Sequence, residues 1–264
     1  MSALTYTILD SAPSSLHKTS VLVTGETEAL VVDAAFTRAD GHRIVAEVLD
    51  SGRTLTTVVI TAGDPDFYFG AEVIADAFPN ARFVAPADVI DHIAHSYTAK
   101  LVAWAHLGVN LPTRLISIET LAVDSLSVDG TSIEVRSSSA LLGDRGWYLF
   151  EPASRSLFGG VLLFGDLHVW TADAATPELR AEWRRVLDDL EALAPTFVAA
   201  GHRAADGPTD TSSIAHTRTY LETFERIVTD SADAAAVEQR SSRPIHLRAS
   251  LWPPASVRRS QKVK

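Results

Sequence analysis

The chain has no cysteine, which excludes disulfides, thiolate metal ligands and a cysteine nucleophile. It has no apolar run approaching the roughly 20 residues that a membrane span needs. Its first residues, Met1-Ser2-Ala3-Leu4-Thr5-Tyr6, lack the basic start and apolar core of a signal peptide. With no address to another compartment, a cytoplasmic location is expected. Basic charge is short as well: the net charge is −10, which argues against general nucleic-acid binding over the surface. No internal stretch has the composition of a linker, so residues 1–239 of the 264 are expected to form one large domain. A hydrophobic content of 46% beside 21% charged residues is ordinary for a globular chain.

Charge is unevenly placed. Residues 240–264 hold seven Lys or Arg and no acid, so residues 1–239 carry about −17 by subtraction. This basic end, with Pro244, Pro253 and Pro254 and no helical period, reads as a disordered tail or an out-of-frame end. It is expected to be dispensable for folding.

The rest alternates between strand and helix patterns. Residues 4–10, 20–24 and 28–35 read as strands, with Gly25-Glu26-Thr27 as a turn. Arg38 to Ser51 has Ile44, Val45, Val48 and Leu49 at helical spacing, and Gly52 is the stop. Helices are expected over 69–78 and 87–107, with a short strand over 82–85 between them. Strands return from Leu111 to Val135, with a hairpin turn at Val128–Thr131, then over 147–150 and 156–158. Pro177 to Leu193 is a helix that Thr176 can cap, with Pro177 and Glu178 suited to its first turn. Thr196 to Ala200 is the last core strand and 212–230 the closing helix. The order predicts an α/β (α+β) chain with helices outside its sheets.

The stretch Val58-Val59-Ile60-Thr61-Ala62-Gly63-Asp64-Pro65-Asp66-Phe67-Tyr68-Phe69-Gly70 stands out. A buried β-branched strand runs into a Gly-Asp-Pro-Asp loop that opens a helix, and Asp64 and Asp66 sit where layered α/β folds keep their chemistry. Strand, loop and helix resemble the metal-binding loop of the metallo-β-lactamase superfamily, and Ala200-Gly201-His202 resembles its later Gly-His. The resemblance implies an αββα sandwich over residues 4–230. It also implies two metal ions held by a His-x-His-x-Asp-His loop, a third histidine, a bridging Asp and a late His. In this sequence the loop places are Ala62, Asp64, Asp66 and Phe67; Ser139 or Ala140 takes the third-histidine place, Gly160 the bridge, and His202 the late His.

A dinuclear zinc centre is therefore not expected. What remains is one weakly held divalent ion (Zn, Mn or Mg) on Asp64, Asp66 and His202, or no metal at all. Replacing Ala62, Asp64 and Phe67 by His and Gly160 by Asp is expected to raise zinc affinity if the backbone frame is kept. The resemblance also gives Asp33, at the end of Leu-Val-Val-Asp, the task of supporting the loop from behind; read alone, it is a turn or cap residue.

Asp64, Asp66, Asp166, His168 and His202 are the candidate catalytic set, expected in one cleft. Phe67, Tyr68, Trp147 and Trp170 are candidate walls for a small-molecule substrate. His92, His95 and His106 read as surface or partly packed histidines, with Tyr97 and Trp104 as further candidate pocket walls. Two functions stay open: a hydrolase-like protein acting on a small ester, lactone or thioester, and an inactive descendant that binds a small molecule in the old cleft. Oligomeric state is not legible.

Overall fold

The computed structural model describes residues 3–231. The basic end is thus outside the described residues, save that the closing helix stops before it.

The first sheet is built from β1 (Thr5–Asp10), β2 (Thr19–Thr24), β3 (Glu28–Val32), β4 (Thr54–Val59), β5 (Arg82–Ala85) and β6 (Glu119–Thr120), side by side in chain order. β1, β2 and β3 pair antiparallel, and β3 to β6 pair parallel. The parallel half needs three crossovers, and each of them contains a helix. α1 (Arg38–Ser51) joins β3 to β4; α2 (Pro65–Tyr68) and α3 (Ala71–Ala77) join β4 to β5. α4 (Ala87–Ala103) follows β5.

The second sheet has the order β12-β10-β9-β8-β7, from β7 (Ser125–Val128), β8 (Thr131–Ser137), β9 (Trp147–Glu151), β10 (Ser156–Phe158) and β12 (Phe197–Ala199). A small parallel pair, β11 (Phe164–Gly165) and β13 (His202–Arg203), sits beside it. α5 (Pro177–Ala192) and α6 (Ser212–Thr229) complete the order.

Strand alternation divides the core into two layers. Val21, Val23, Leu30, Val32, Val59 and Val84 join Ile133, Val135, Leu149 and Phe158 of the second sheet in one buried cluster. Their neighbours Leu22, Val31 and Val58 turn the other way and pack with Ile44, Val48, Phe69 and Ile74 of the helices. Both faces of these strands are buried, which explains their continuous apolar runs. The arrangement is the expected αββα sandwich.

Some elements differ in detail. The helix expected over 69–78 begins four residues earlier, at Pro65, and breaks at Gly70 into α2 and α3. The stretch 111–135 holds less strand than its composition suggests, with β6 only two residues long. No helix among the described residues is long and apolar enough to cross a membrane.

Candidate functional site

The site forms where β3 and β4 end together. Asp33 follows β3 in a left-handed conformation (φ 62°) and is fully buried. Its Oδ1 accepts hydrogen bonds from the backbone N–H and hydroxyl of Thr61, at 2.9 and 2.7 Å. Thr61 Oγ1 in turn accepts the N–H of Gly160 at 2.8 Å. Asp33 therefore braces the loop from behind and ties both sheets to it. Its Oδ2 lies 3.0 Å from the ammonium of Lys18, and neither side chain of this ion pair is exposed. The ammonium also donates to Thr19 O at 2.6 Å and sits 4.1 Å above the Phe67 ring.

Asp64 caps the loop at the start of α2 without making a side-chain bond to that helix. The guanidinium of Arg145 donates to its Oδ2, while the ammonium of Lys100 lies 3.6 Å from Oδ1. Arg145 also pairs with Asp173 at 3.2 Å. Burial opposes ionisation of Asp64, but the charges of Arg145, Lys100 and His92 outweigh it and hold its carboxyl below the usual carboxylate range. His92 and Lys100, on α4, meet through Nε2 and Nζ at 3.0 Å, and His92 Nδ1 lies 2.6 Å from Asp144 Oδ2. Gly63 makes this docking possible, because a Cβ there would lie 2.7 Å from the His92 ring.

Asp66 and His202 do meet, across 136 residues of sequence, with His202 Nε2 2.8 Å from Asp66 Oδ2. Both are 5% exposed. The imidazole stacks on Phe164, ring centroids 5.0 Å apart, and takes the edge of Phe67 at 5.9 Å.

Asp166 and His168 turn instead toward α6. Asp166 Oδ1 is 3.8 Å from His216, and His168 Nδ1 is 3.2 Å from the Tyr220 hydroxyl. The pairing of β11 with β13 places them beside His202 in the fold, yet their polar contacts lie elsewhere. Phe67 (0% exposed) and Tyr68 (3%) are core side chains rather than cleft walls. Apolar burial is what their position in the short helix offers; Tyr68 packs on Phe69 and Tyr97. Trp147 and Trp170 stay at the rim, donating to Asp88 at 2.9 Å and Asp173 at 2.7 Å.

A cavity of about 210 Å³ adjoins Arg145. Leu142, Val161, Leu162, Leu179 and Trp183 give it apolar walls, and Asp144, Arg145 and Asp173 bring charge to it.

No family model matches the sequence, and no curated protein matches it. Solved structures do. A metallo-β-lactamase family protein from Thermus thermophilus is 17% identical, with a TM-score of 0.65, 90% of this chain and 87% of that one covered. A metallo-β-lactamase from Pontibacter korlensis is 18% identical, with a TM-score of 0.55 over 78% of this chain and 87% of that one. The DIM-1 metallo-β-lactamase is 18% identical, with a TM-score of 0.52 over 83% and 93%.

The chain has the metallo-β-lactamase fold.

In that fold the expected metal donors are already committed. Asp64 is engaged by Arg145 and approached by Lys100. His202 Nε2 faces Asp66 at 2.8 Å. Phe67 fills the fourth loop place, beneath the fixed positive charge of Lys18. Among the described residues no three His, Asp or Glu side chains come together as a metal-holding group. A dication placed here would meet ammonium and guanidinium groups in place of three or four donors. The residues present do not fit a metal ion, and the expected set of Asp64, Asp66 and His202 is not one site: Asp64 faces α4 and Arg145, while Asp66 and His202 close on each other.

Four contributors escaped the sequence reading, Lys18, Lys100, Arg145 and Asp144, while His92 was read there only as a surface or partly packed histidine. Lys18 precedes a strand and Arg145 ends a loop of one-turn helix (Ala140–Arg145), so neither has a periodic pattern to mark it. His92 and Lys100 are eight apart on α4, a same-face spacing that becomes informative only once Gly63 is known to receive the imidazole.

Proposed function

We propose that this metallo-β-lactamase-fold protein is a hydrolase-like chain that binds a small, largely uncharged organic molecule in the old cleft without a metal ion. One observation carries the proposal: the loop carboxylate Asp64 is neutralised by Arg145, a residue that also lines the cavity. Fixed cations thus stand against the carboxylates, and the adjoining space has apolar walls suited to a ligand body.

Hydrolysis of a small ester, lactone or thioester is the second function to weigh. It would ask the Asp66–His202 pair to act as base. Both members are 5% exposed, with Phe164 and Phe67 against the imidazole, so a substrate has no path to them without rearrangement.

Metal content and ligand response test the proposal together. Protein purified without added metal is expected to hold well under one ion per chain, with a thermal midpoint that a chelator leaves unchanged. Benzyl alcohol, as an uncharged aromatic probe, is expected to raise that midpoint in the wild type by mass action. It should do so far less in Leu142→Trp, which fills the cavity from its rim. Two tightly held zinc ions, or an equal response in the filled variant, would overturn the proposal.

A further inference from the structure

Lysine is scarce in this chain: four residues, at 18, 100, 262 and 264, against nineteen arginines. Both lysines among the described residues lie at the loop, and every other permanently cationic side chain there is arginine. Arginine supplies a permanent charge; lysine supplies an amine that burial can hold neutral. Lys18 is sealed against Asp33. Lys100 keeps 17% of its side chain exposed and is within reach of solvent.

Lys100, an ammonium where it pairs with Asp64, has contacts that let it yield a proton and keep its place. Its Nζ donates to Gly63 O at 2.6 Å and meets His92 Nε2 at 3.0 Å. Asp144 accepts the Nδ1 proton of His92 at 2.6 Å, and that assignment leaves the Nε2 lone pair facing Lys100. The two short bonds use both N–H groups of the amine that remains once that proton is gone. The nearest carboxylate oxygen, Asp64 Oδ1, stands 3.6 Å away and belongs to a group already bonded to Arg145. Burial pushes the Lys100 ammonium down from its ordinary value, against the pull of Asp64, Asp66 and Asp144. Carboxylate, imidazole and nucleophile in line is the arrangement that activates weak nucleophiles generally.

We propose that Lys100 is a nucleophilic amine, with His92 as its base and Asp144 as a positioning residue, which captures a small uncharged aldehyde as an imine. The nitrogen lone pair attacks the carbonyl carbon, and the carbonyl electron pair moves to oxygen. His92 ferries the two protons that leave nitrogen, and they depart with the oxygen as water when the C=N bond forms. Asp64 and Asp173 pair with the Arg145 guanidinium and Asp144 adds its charge nearby, so with Lys100 as the amine the cluster is net negative, and carbonyl compounds bearing a carboxylate or phosphate are disfavoured. The 210 Å³ cavity shares Asp144 and Arg145 with this cluster. Because an apolar space of roughly 150 Å³ holds benzene, an aromatic aldehyde is of suitable size.

The full-length protein is incubated with benzaldehyde and sodium cyanoborohydride, and adducts are mapped by peptide mass spectrometry over time. Lys100 is expected to be labelled several-fold faster than Lys262 and Lys264, and glyoxylate in place of benzaldehyde is expected to lose that preference. Asp144→Asn should slow Lys100 labelling with its thermal midpoint held, and Asp144→Glu should restore the rate. His92→Phe should bring Lys100 to the rate of the other lysines. Labelling of folded wild type that shows no preference for Lys100 would overturn the proposal, as would an Asp144→Asn rate equal to wild type. A thermal response to benzyl alcohol without a Lys100 adduct would leave the ligand-binding proposal standing and remove this one alone.

Discussion

Lys18 and Asp33 form an ion pair in which neither side chain is exposed to solvent. Removing a charge from water costs several kcal/mol, and only a well-bonded partner offsets it. Here the partners are numerous: Asp33 also accepts two bonds from Thr61, and Lys18 donates to Thr19 O and rests on Phe67. Lys18→Met strips Asp33 of its counter-charge and leaves the bonds to Thr61, so it is expected to destabilise the fold by about 3–5 kcal/mol. Adding Asp33→Asn removes the orphaned charge, and the double variant should be more stable than Lys18→Met alone. Urea unfolding of the two variants checks this; a loss below about 1 kcal/mol for Lys18→Met would mean that Asp33 finds water or a proton instead. The sequence made Asp33 legible through its place at the end of Leu-Val-Val-Asp. It gave no sign of Lys18, because the ion pair is fixed by β2 lying beside β3, a tertiary fact.

At the scale of elements, α4 is set against the loop by a single close approach. The His92 ring occupies the space where a side chain on Gly63 would stand, 2.7 Å from an added Cβ. Gly63→Ala must therefore push His92, and with it the contacts of Lys100 and Asp144, off the loop. The expected cost is about 1–3 kcal/mol from overpacking, with Lys100 losing its labelling preference while the fold persists. Thermal midpoint and adduct mapping read the two effects separately; a variant as stable as wild type with labelling intact would contradict the placement of α4.

Sterics also bar the metal bridge expected at the Gly160 place. Gly160 has φ 76°, and its Cβ would stand 2.1 Å from Trp147 O. An Asp there cannot enter without moving β9, so rebuilding a metal bridge by Gly160→Asp does not keep the backbone frame on which the expected gain in zinc affinity depended. Long periodic elements such as α1 and α5 were plain in the sequence, the latter with Thr176 accepting the N–H of Leu179 as its cap. The break between α2 and α3 was not, since Gly70 in a helical pattern marks no boundary until its neighbours are known.

For the molecule as a whole, acid should act in two stages with the same sign. The His17 and His168 imidazoles are held below their ordinary values, His17 by burial and then by His202, His168 by burial and then by His216. Below about pH 6.5 the unfolded chain takes up these protons and the folded chain does not, so stability falls as pH falls. Several carboxyls are held below their ordinary range as well. Burial of Asp64 is outweighed by Arg145 and Lys100, that of Glu72 by bonds from Thr113, and that of Glu151 by bonds from Ser154. Their contribution is complete above the ordinary carboxyl values and is lost as pH falls through the depressed ones. The unfolding free energy should therefore decline gently from about pH 6.5 and more steeply below about pH 4.5. His168→Gln replaces one titrating ring with a neutral amide that can still meet the Tyr220 hydroxyl. It should flatten the upper stage and leave the lower one unchanged. Urea midpoints collected from about pH 7.5 to about pH 3.5 for both proteins, a span that brackets both stages, provide the comparison. An upper stage of equal slope in the variant would assign the loss to other groups and break the link between burial of His168 and stability.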